Sequence, residues 1–203
     1  MPKVYSIDGI VPVVHPSAFV HESAVLVGDV IVGARAYIGP CACLRGDFGR
    51  IVVEEGANIQ DTCMLHGFPG KDTVVGAEAT VGHGAVLHGC VVKRGALIGM
   101  NCVVNDNAEV GEEAMVAAMA FVRAEAKIPP RSLAAGIPAR VLRELSAEEM
   151  QWKKDNMHLY QQLAIRSSKT MQRVEALTAV EPGRKRIDIP GAIPLSELKA
   201  RTK

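Results

Sequence analysis

The stretch AFVHESAVLVGDVIVGARAYIGPCACL, residues 18–44, repeats its side-chain pattern every six residues. One position in each six is small or compact, and the position two residues further along is a branched apolar residue. The small positions are Ala18, Ala24, Val30, Ala36 and Ala42, and their branched partners are Val20, Leu26, Val32, Ile38 and Leu44. Because residues two apart in a strand point to the same side, each unit would send one small and one large side chain inward.

The same pattern continues to residue 128. The register slips at residues 46–52 (GDFGRIV) and again at residues 67–72 (GFPGKD), and it resumes after each slip. Repetition at a short fixed period predicts a β-helix, in which three units form one triangular coil of about 18 residues. We therefore predict a mainly β fold, a parallel β-helix of six-residue repeats. A chance Ala/Val-rich helical region is the alternative, and the consistent phase over residues 18–128 disfavours it.

Composition narrows the function classes. The 203 residues carry a formal net charge of +1, which disfavours nucleic acid or an acidic membrane surface as a partner. No apolar run is long enough to span a bilayer. Five cysteines without a CxxC pair predict a reduced, cytoplasmic protein. Inert core positions are predicted for Cys63, Cys90 and Cys102, and a turn is predicted for Cys41 and Cys43.

The C-terminal third follows a different pattern. We predict a β-helix with the metal site over residues 1–140, a helix that packs on it within residues 141–178, and an extended tail over residues 179–203. Ser146 and Glu149 have the spacing of a capping box, which places the helix at about residues 147–175. Its apolar stripe is predicted to comprise Met150, Met157, Tyr160, Leu163, Ala164, Met171 and Val174. The stripe would pack on the β-helix or on a neighbouring subunit.

Three histidines fall within 23 residues and carry the candidate chemistry. With three units per coil, Arg45, His66 and His88 stack in one column at the inter-strand spacing of about 4.8 Å, which lets two imidazoles share a metal. The same register places Asp61, with Gln60 beside it, directly beneath His83 on a different corner. A neighbouring subunit would therefore supply His83. The sequence predicts a metal site at a subunit interface, in a homotrimer; three turn-located histidines without metal are the alternative.

The order and spacing of these motifs resemble the γ-class carbonic anhydrases and their relatives. The motifs are Arg45-Gly-Asp47, Asn58-Ile-Gln-Asp61, His66, Gly82-His83 and His88. The resemblance covers about residues 10–130 and implies a left-handed β-helix. It also implies zinc, with iron or cobalt as alternatives, bound by His66, His83 and His88 across a trimer interface. Arg45 and Asp47 would form an interface pair, and Gln60 and Asp61 would line the site as catalytic residues.

A second resemblance spans nearly the whole chain. The segments LRGDFGRIVVEEGANIQD, HGFPGKDTVVG, RELSAEEMQWKK and VEPGRKR resemble a branch of bacterial phenylacetate-degradation proteins that is close to a protein of carnitine metabolism. This branch implies a thioesterase that uses a zinc-bound hydroxide to hydrolyse a ring-derived acyl-CoA by-product of phenylacetate catabolism. Zinc or Gln60 would polarise the thioester carbonyl.

Three other classes stay open. Carbon dioxide is a second electrophile for the same site, although Phe48 and the loop 67–70 stand where fast carbonic anhydrases carry acidic groups. The two aromatic residues Phe48 and Phe68 would instead form an apolar mouth for a ring-type acyl group. A CoA-dependent acyltransferase would use a single histidine as base and no metal. A non-catalytic scaffold is the last class.

Overall fold

The computed structural model describes residues 2–190 and 192–201. Its parallel β-helix contains short strands that form the three faces of a triangular prism. The strands are β1 (Lys3–Tyr5), β2 (Val13–Val14), β3 (Phe19–Val20), β4 (Val25–Val32), β5 (Tyr37–Ile38), β6 (Cys43–Val53), β7 (Asn58–Ile59), β8 (Met64–His66), β9 (Thr73–Val75), β10 (Thr80–Val81), β11 (Val86–His88), β12 (Val91–Val92), β13 (Leu97–Ile98), β14 (Val103–Val104), β15 (Glu109–Val110), β16 (Met115–Val116), β17 (Phe121–Val122), β18 (Lys127–Ile128), β19 (Ser132–Gly136) and β20 (Ala139–Glu144).

The strands stack into three parallel ladders. Face 1 consists of β1, the first half of β4, the first half of β6, β8, β11, β14 and β17. Face 2 consists of β2, the second halves of β4 and β6, β9, β12, β15 and β18. Face 3 consists of β3, β5, β7, β10, β13, β16 and β19. The predicted fold, a left-handed hexapeptide-repeat β-helix with a C-terminal helix, is confirmed.

The predicted inward pairs form the core. Leu44, Leu65, Leu87 and Val104 are stacked register partners on face 1 and are fully buried. Cys63, Cys90 and Cys102 are buried as predicted, and burial raises the pKa of the Cys90 thiol to about 12, so it stays protonated and unreactive.

The two register slips have different structures. At the first slip, β4 and β6 run on around the corner between faces 1 and 2, and their register shifts after Gly28 and Gly46. A Cβ on Gly46 would collide with the backbone of Asp29, so only glycine fits there. At the second slip, a loop leaves the prism and is closed by pairing between Phe68 and Lys71.

One cysteine assignment is corrected. Cys41 lies in a turn, as predicted, whereas Cys43 begins strand β6 and pairs with Met64. The inward position is Ala42, which is fully buried, so Cys43 is the first outward residue of the face 1 strand.

The C-terminal helix α1 runs over Ala147–Thr170 and covers face 3 of its own chain. Ser146 and Glu149 form the predicted capping box. Lys153 is buried, and its Nζ donates to the carbonyl oxygens of Gly95 (2.7 Å) and Glu113 (2.5 Å) at the corner between faces 2 and 3. The helix is thereby fixed to both a face and a corner of the β-helix.

The predicted helix end and tail are also corrected. The helix ends at Thr170, and Met171 and Val174 are exposed, because α1 has by then reached β3, the first strand of face 3. The predicted tail contains a short helix α2, Leu195–Arg201. Gly191, Thr202 and Lys203 of that tail, and Met1 of the predicted β-helix, lie outside the described residues.

The strand β20 pairs antiparallel with β19, the last strand of face 3. Among the helices of the described residues, none is long and apolar enough to cross a membrane.

Candidate active site

His66 and His88 end two adjacent strands of face 1 and are direct register partners. Their imidazoles are about 5.2 Å apart at the ring centres, and His66 Nδ1 lies 3.1 Å from His88 Nε2. The stacking of these two residues, predicted from the six-residue period, is thus present. Arg45, predicted in the same column, lies one coil below and reaches His66 through Asp47.

Each of these two imidazoles also meets a carboxylate. Asp47 accepts from His66 Nε2 at 2.9 Å, and Arg45 donates to the other oxygen of Asp47 at 2.8 Å. Asp106 accepts from His88 Nδ1 at 2.6 Å. In a neutral imidazole that donates to the carboxylate, the other ring nitrogen is an acceptor, so His66 Nδ1 and His88 Nε2 would then face each other with lone pairs.

Two lone pairs that face each other at 3.1 Å repel unless a cation lies between them. A shared proton or a metal ion meets that requirement. With Zn–N bonds of about 2.0–2.1 Å, two nitrogens on one tetrahedral zinc lie roughly 3.3 Å apart, close to the observed separation. The carboxylate on the outer nitrogen is the usual arrangement around a metal-bound histidine. The residues present therefore fit the predicted metal.

His83 lies on a different corner, after strand β10. Its Nδ1 contacts Asp61 at 2.8 Å, as the register predicted, and its Nε2 lies 3.4 Å from the Tyr160 hydroxyl of α1. His83 thus repeats the arrangement of the first two histidines, with a carboxylate on one nitrogen and the other available. Among the described residues, no three His, Cys, Asp or Glu side chains of one chain converge on a metal position.

Gln60 is held in a buried hydrogen-bond network beside His83. Its side-chain oxygen accepts from the backbone N–H of His83 at 3.2 Å, and its nitrogen donates to Asn58 at 3.1 Å. Asn58 donates in turn to Thr80 at 2.8 Å, and all three side chains are buried. Gln60 therefore positions His83, and its predicted contact with a substrate carbonyl stays a prediction.

Two aromatic rings flank the histidine pair. Phe48 lies 5.4 Å from the ring of His66, and Phe68 lies 4.9 Å from the ring of His88 in an edge-to-face arrangement. Phe48 is 61% exposed and Phe68 48% exposed in the single chain. The predicted apolar residues are thus next to the imidazoles.

The histidine pair continues an apolar ladder on the outside of face 1. The outward residues in register on this face are Val25, Cys43, Met64, Val86, Val103 and Phe121. Met64 is 38% exposed and Val86 37% exposed, each two residues before a site histidine and on the same side of its strand.

Two groups of the site were missed or only partly found from the sequence. Asp106 was not singled out; the signal for it is the turn Asn105-Asp106-Asn107, one coil beyond His88. Tyr160 was expected on the helix stripe, and the structure adds its contact with His83. Burial, with Asp61 and Tyr37 nearby, raises the pKa of Tyr160 to about 12. Its hydroxyl stays a neutral hydrogen-bond donor.

Comparison with known proteins bears on the predicted resemblances. No family model matches the chain. The chain is 53% identical over 183 residues to the carnitine operon protein CaiE of Citrobacter koseri, which covers 90% of this chain and 93% of that protein.

Solved structures give the same fold. A hexapeptide transferase family protein of Anaplasma phagocytophilum is 34% identical with a TM-score of 0.78, covering 80% of this chain and 96% of that one. A proposed acetyltransferase of Bacillus cereus is 36% identical with a TM-score of 0.79, covering 80% and 95%. The comparisons support the predicted relation to the carnitine operon protein CaiE. They do not support the phenylacetate branch in particular, nor do they support a thioesterase or a carbonic anhydrase.

Proposed function

The chain belongs to the hexapeptide-repeat family of the carnitine operon protein CaiE, and from that premise we propose that it is an enzyme that transfers the acyl group of an acyl-CoA thioester to water at a metal site. One observation carries the proposal: His66 Nδ1 and His88 Nε2 lie 3.1 Å apart while carboxylates contact the outer nitrogens of both rings. This arrangement calls for a cation between them.

His66 and His88 would hold the metal from one subunit, and His83 would hold it from a neighbour. A zinc ion with three imidazole ligands keeps an open fourth position and lowers the pKa of water there to about 7. Iron and cobalt suit the same nitrogen ligands. Metal analysis of the purified protein distinguishes a metal from a shared proton.

The placement of the third histidine supports a homotrimer. His83 lies on a different corner from His66 and His88, and no third ligand of the described residues joins that pair within one chain. The exposed apolar ladder of face 1 next to the pair supports a subunit contact at this position.

The chain's own residues would supply orientation and hydrogen bonds. Asp47, Asp61 and Asp106 fix the tautomers of the three imidazoles, and Arg45 holds Asp47 in place. The neutral Tyr160 hydroxyl is a donor for the oxyanion that forms from the thioester carbonyl. A CoA thiolate leaves without a strong acid, because a free thiol has a pKa of about 8.5.

Because the sequence resembles the phenylacetate-degradation branch, an acyl-CoA with a ring-derived acyl group is the first substrate to test. The exposed Phe48 and Phe68 beside the imidazoles support a flat, apolar acyl group. We expect Phe68→Glu to lower the hydrolysis of a ring-type acyl-CoA several-fold and to change that of acetyl-CoA little. Steady-state kinetics on both substrates measure the ratio, and an unchanged ratio contradicts the role of Phe68.

Acyl transfer to an amine or hydroxyl acceptor is the second candidate. The names of the structural relatives favour it over transfer to water. The His83–Asp61 pair at 2.8 Å is an imidazole oriented by a carboxylate, the form of a general base that needs no metal.

The test is CoA release from a panel of acyl-CoAs by metal-loaded and chelator-stripped protein, with CO2 hydration assayed in parallel. Metal-dependent CoA release in water alone supports the hydrolase. Release that needs an added amine or alcohol and ignores chelator supports the acyltransferase. Metal-dependent CO2 hydration without CoA release identifies a carbonic anhydrase.

A further inference from the structure

A groove of about 560 Å³ lies between face 3 and helix α1 and reaches the third histidine. At one end it is lined by Gln60, His83 and Tyr160. Its volume lies within the range of ligand pockets, which are mostly apolar with a few polar groups that orient the ligand. The groove therefore connects the proposed reaction site with a covered apolar space.

The walls of the groove come from face 3, from α1 and from Leu195 and Ser196 at the start of α2. Leu97, Met115 and Leu133 project outward from successive strands of face 3 and form the floor. On α1, Trp152 and Tyr160 lie two helical turns apart on one side, and the indole N–H of Trp152 donates to the Ile193 carbonyl at 2.9 Å.

The length of the groove can be estimated from the strands that its floor crosses. Its floor runs from Thr80 through Leu97 and Met115 to Leu133, three inter-strand steps. At about 4.8 Å a step, this is roughly 14 Å. An extended octanoyl chain is shorter than this floor.

Among its described residues, the groove lacks the positively charged side chains that would bind the nucleotide part of CoA. Of the described residues that line it, none is Lys or Arg, and Glu149 is the acidic one. A diphosphate has no cation there to bind. Along the floor itself, the side chains of Leu97, Met115 and Leu133 offer the pantetheine amides no hydrogen-bond partner.

We propose that this groove binds the apolar acyl group of the thioester, with the carbonyl carbon at the His83 end. The inference rests on the proposed action on acyl-CoA and adds that extended acyl chains much longer than acetyl bind in the chain's own face 3 groove, whereas a ring-type acyl group lies against Phe48 and Phe68. The preference for acyl length is then set by Leu97, Met115 and Trp152 and is separate from the exposed phenylalanines.

Trp152 provides a direct readout, because it is the single tryptophan of the sequence. We expect octanoyl-CoA to shift the emission of metal-stripped protein to shorter wavelength with saturation, and acetyl-CoA and CoA to leave it unchanged. This measurement needs no turnover. An equal shift with CoA alone overturns the proposal.

Variants of the floor test the position of the ligand. Leu97→Phe fills the groove and should weaken octanoyl-CoA binding roughly tenfold, about 1.4 kcal/mol, and should weaken acetyl-CoA binding less. Leu97→Ala widens the groove and should shift the binding preference toward longer acyl chains. This second variant tests the groove even if the phenylalanine of Leu97→Phe impairs folding. Val91→Phe, at an outward position of face 2, is the matched control.

The two proposals fail in different ways. If the Leu97 variants bind octanoyl-CoA as the wild type does, the groove assignment is wrong whatever the activity. If octanoyl-CoA shifts the Trp152 emission and Leu97→Phe abolishes the shift, yet no acyl-CoA is turned over by metal-loaded protein, the groove is supported and the hydrolase is wrong.

Discussion

Faces 1 and 3 of the prism send the same kinds of side chain into the core but differ in how much of their outward side chains is exposed to solvent. Both carry a mainly apolar outward ladder, but face 3 is covered by α1, so that Tyr37 and Met115 are buried. Face 1 leaves Met64 and Val86 more than a third exposed beside two site histidines. The inward residues of the repeat therefore build the same core on both faces, whereas α1 covers the outward residues of face 3 and leaves those of face 1 exposed in the single chain.

The largest expected effect, on metal binding and activity, comes from replacing a histidine at one corner of the site and a histidine at the other corner in separate variants. His66→Ala and His83→Ala should each lose metal and activity, since even an outer-shell change costs about 10–100-fold in metal affinity. Co-expression of the two variants should restore part of the activity, because one subunit then supplies His66 and its neighbour His83. Activity of the co-purified mixture measures it.

A mixture that stays inactive, while each variant forms the native assembly, would place all ligands in one chain. The mixture of His66→Ala with His88→Ala is the matched control, because these residues lie on the same corner and cannot complement.

A charge on the open face should dissociate the assembly without unfolding it. Val103→Lys lies on face 1, one coil beyond Val86, and should convert the trimer to folded monomers that no longer bind the metal. Light scattering gives the mass and circular dichroism the fold. Val91→Lys on face 2 should leave the trimer intact; dissociation by both variants, or by neither, contradicts face 1 as the interface.

The covered face gives a pH-dependent prediction. Burial lowers the pKa of Lys153 from about 10.5 to about 8. Because the folded state releases this proton more readily than the unfolded state, the free energy of unfolding should rise with pH between about 8 and 10.5, by about 3 kcal/mol. Denaturant titrations across this range measure the rise.

The variant Lys153→Met should remove this rise, because it keeps the side-chain length and has no titrating group. Lys154→Met, at the half-exposed neighbouring position, should retain it. A rise of equal size in all three proteins would assign the pH dependence to other groups.

The smallest expected effect is on metal affinity, when the carboxylate at one corner of the site and then the carboxylate at the other corner is replaced. Asp106→Asn keeps the shape of the partner of His88 and removes its charge, and it should weaken metal binding by about 10–100-fold. Asp61→Asn should act likewise on the same metal through His83. Competition with a metal chelator gives both affinities, and an effect of only one of them would show that a single corner holds the metal.

The six-residue period was sufficient to predict the coil, the inward residues and the stacking of His66 on His88, because a β-helix repeats its geometry exactly where the sequence repeats. Asp61 beneath His83 followed from the same register. Asp106 was missed because the column that was followed along the register, Arg45, His66 and His88, leads to Asn105, and Asp106 lies one residue further, in the turn.

The helix could be predicted only in part. Its start at Ala147 is local, set by the Ser146–Glu149 capping box, and was predictable. The end of the helix is set by tertiary packing. The apolar stripe of the sequence continues past Thr170, but the strands of face 3 on which it could pack end at that point. The burial of Lys153 could not be read from the sequence either, since it depends on two carbonyl oxygens more than 35 residues away.

The reversed strand β20 has a consequence for the length of the solenoid. A parallel ladder offers the same edge after every coil, so each new coil or a second molecule could add to it without limit. The antiparallel pairing of β19 with β20 ends face 3 with a strand of opposite polarity. Engineered extensions should therefore be tolerated as coils inserted within the ladder, and a further parallel strand cannot pair with β19 at the end of face 3.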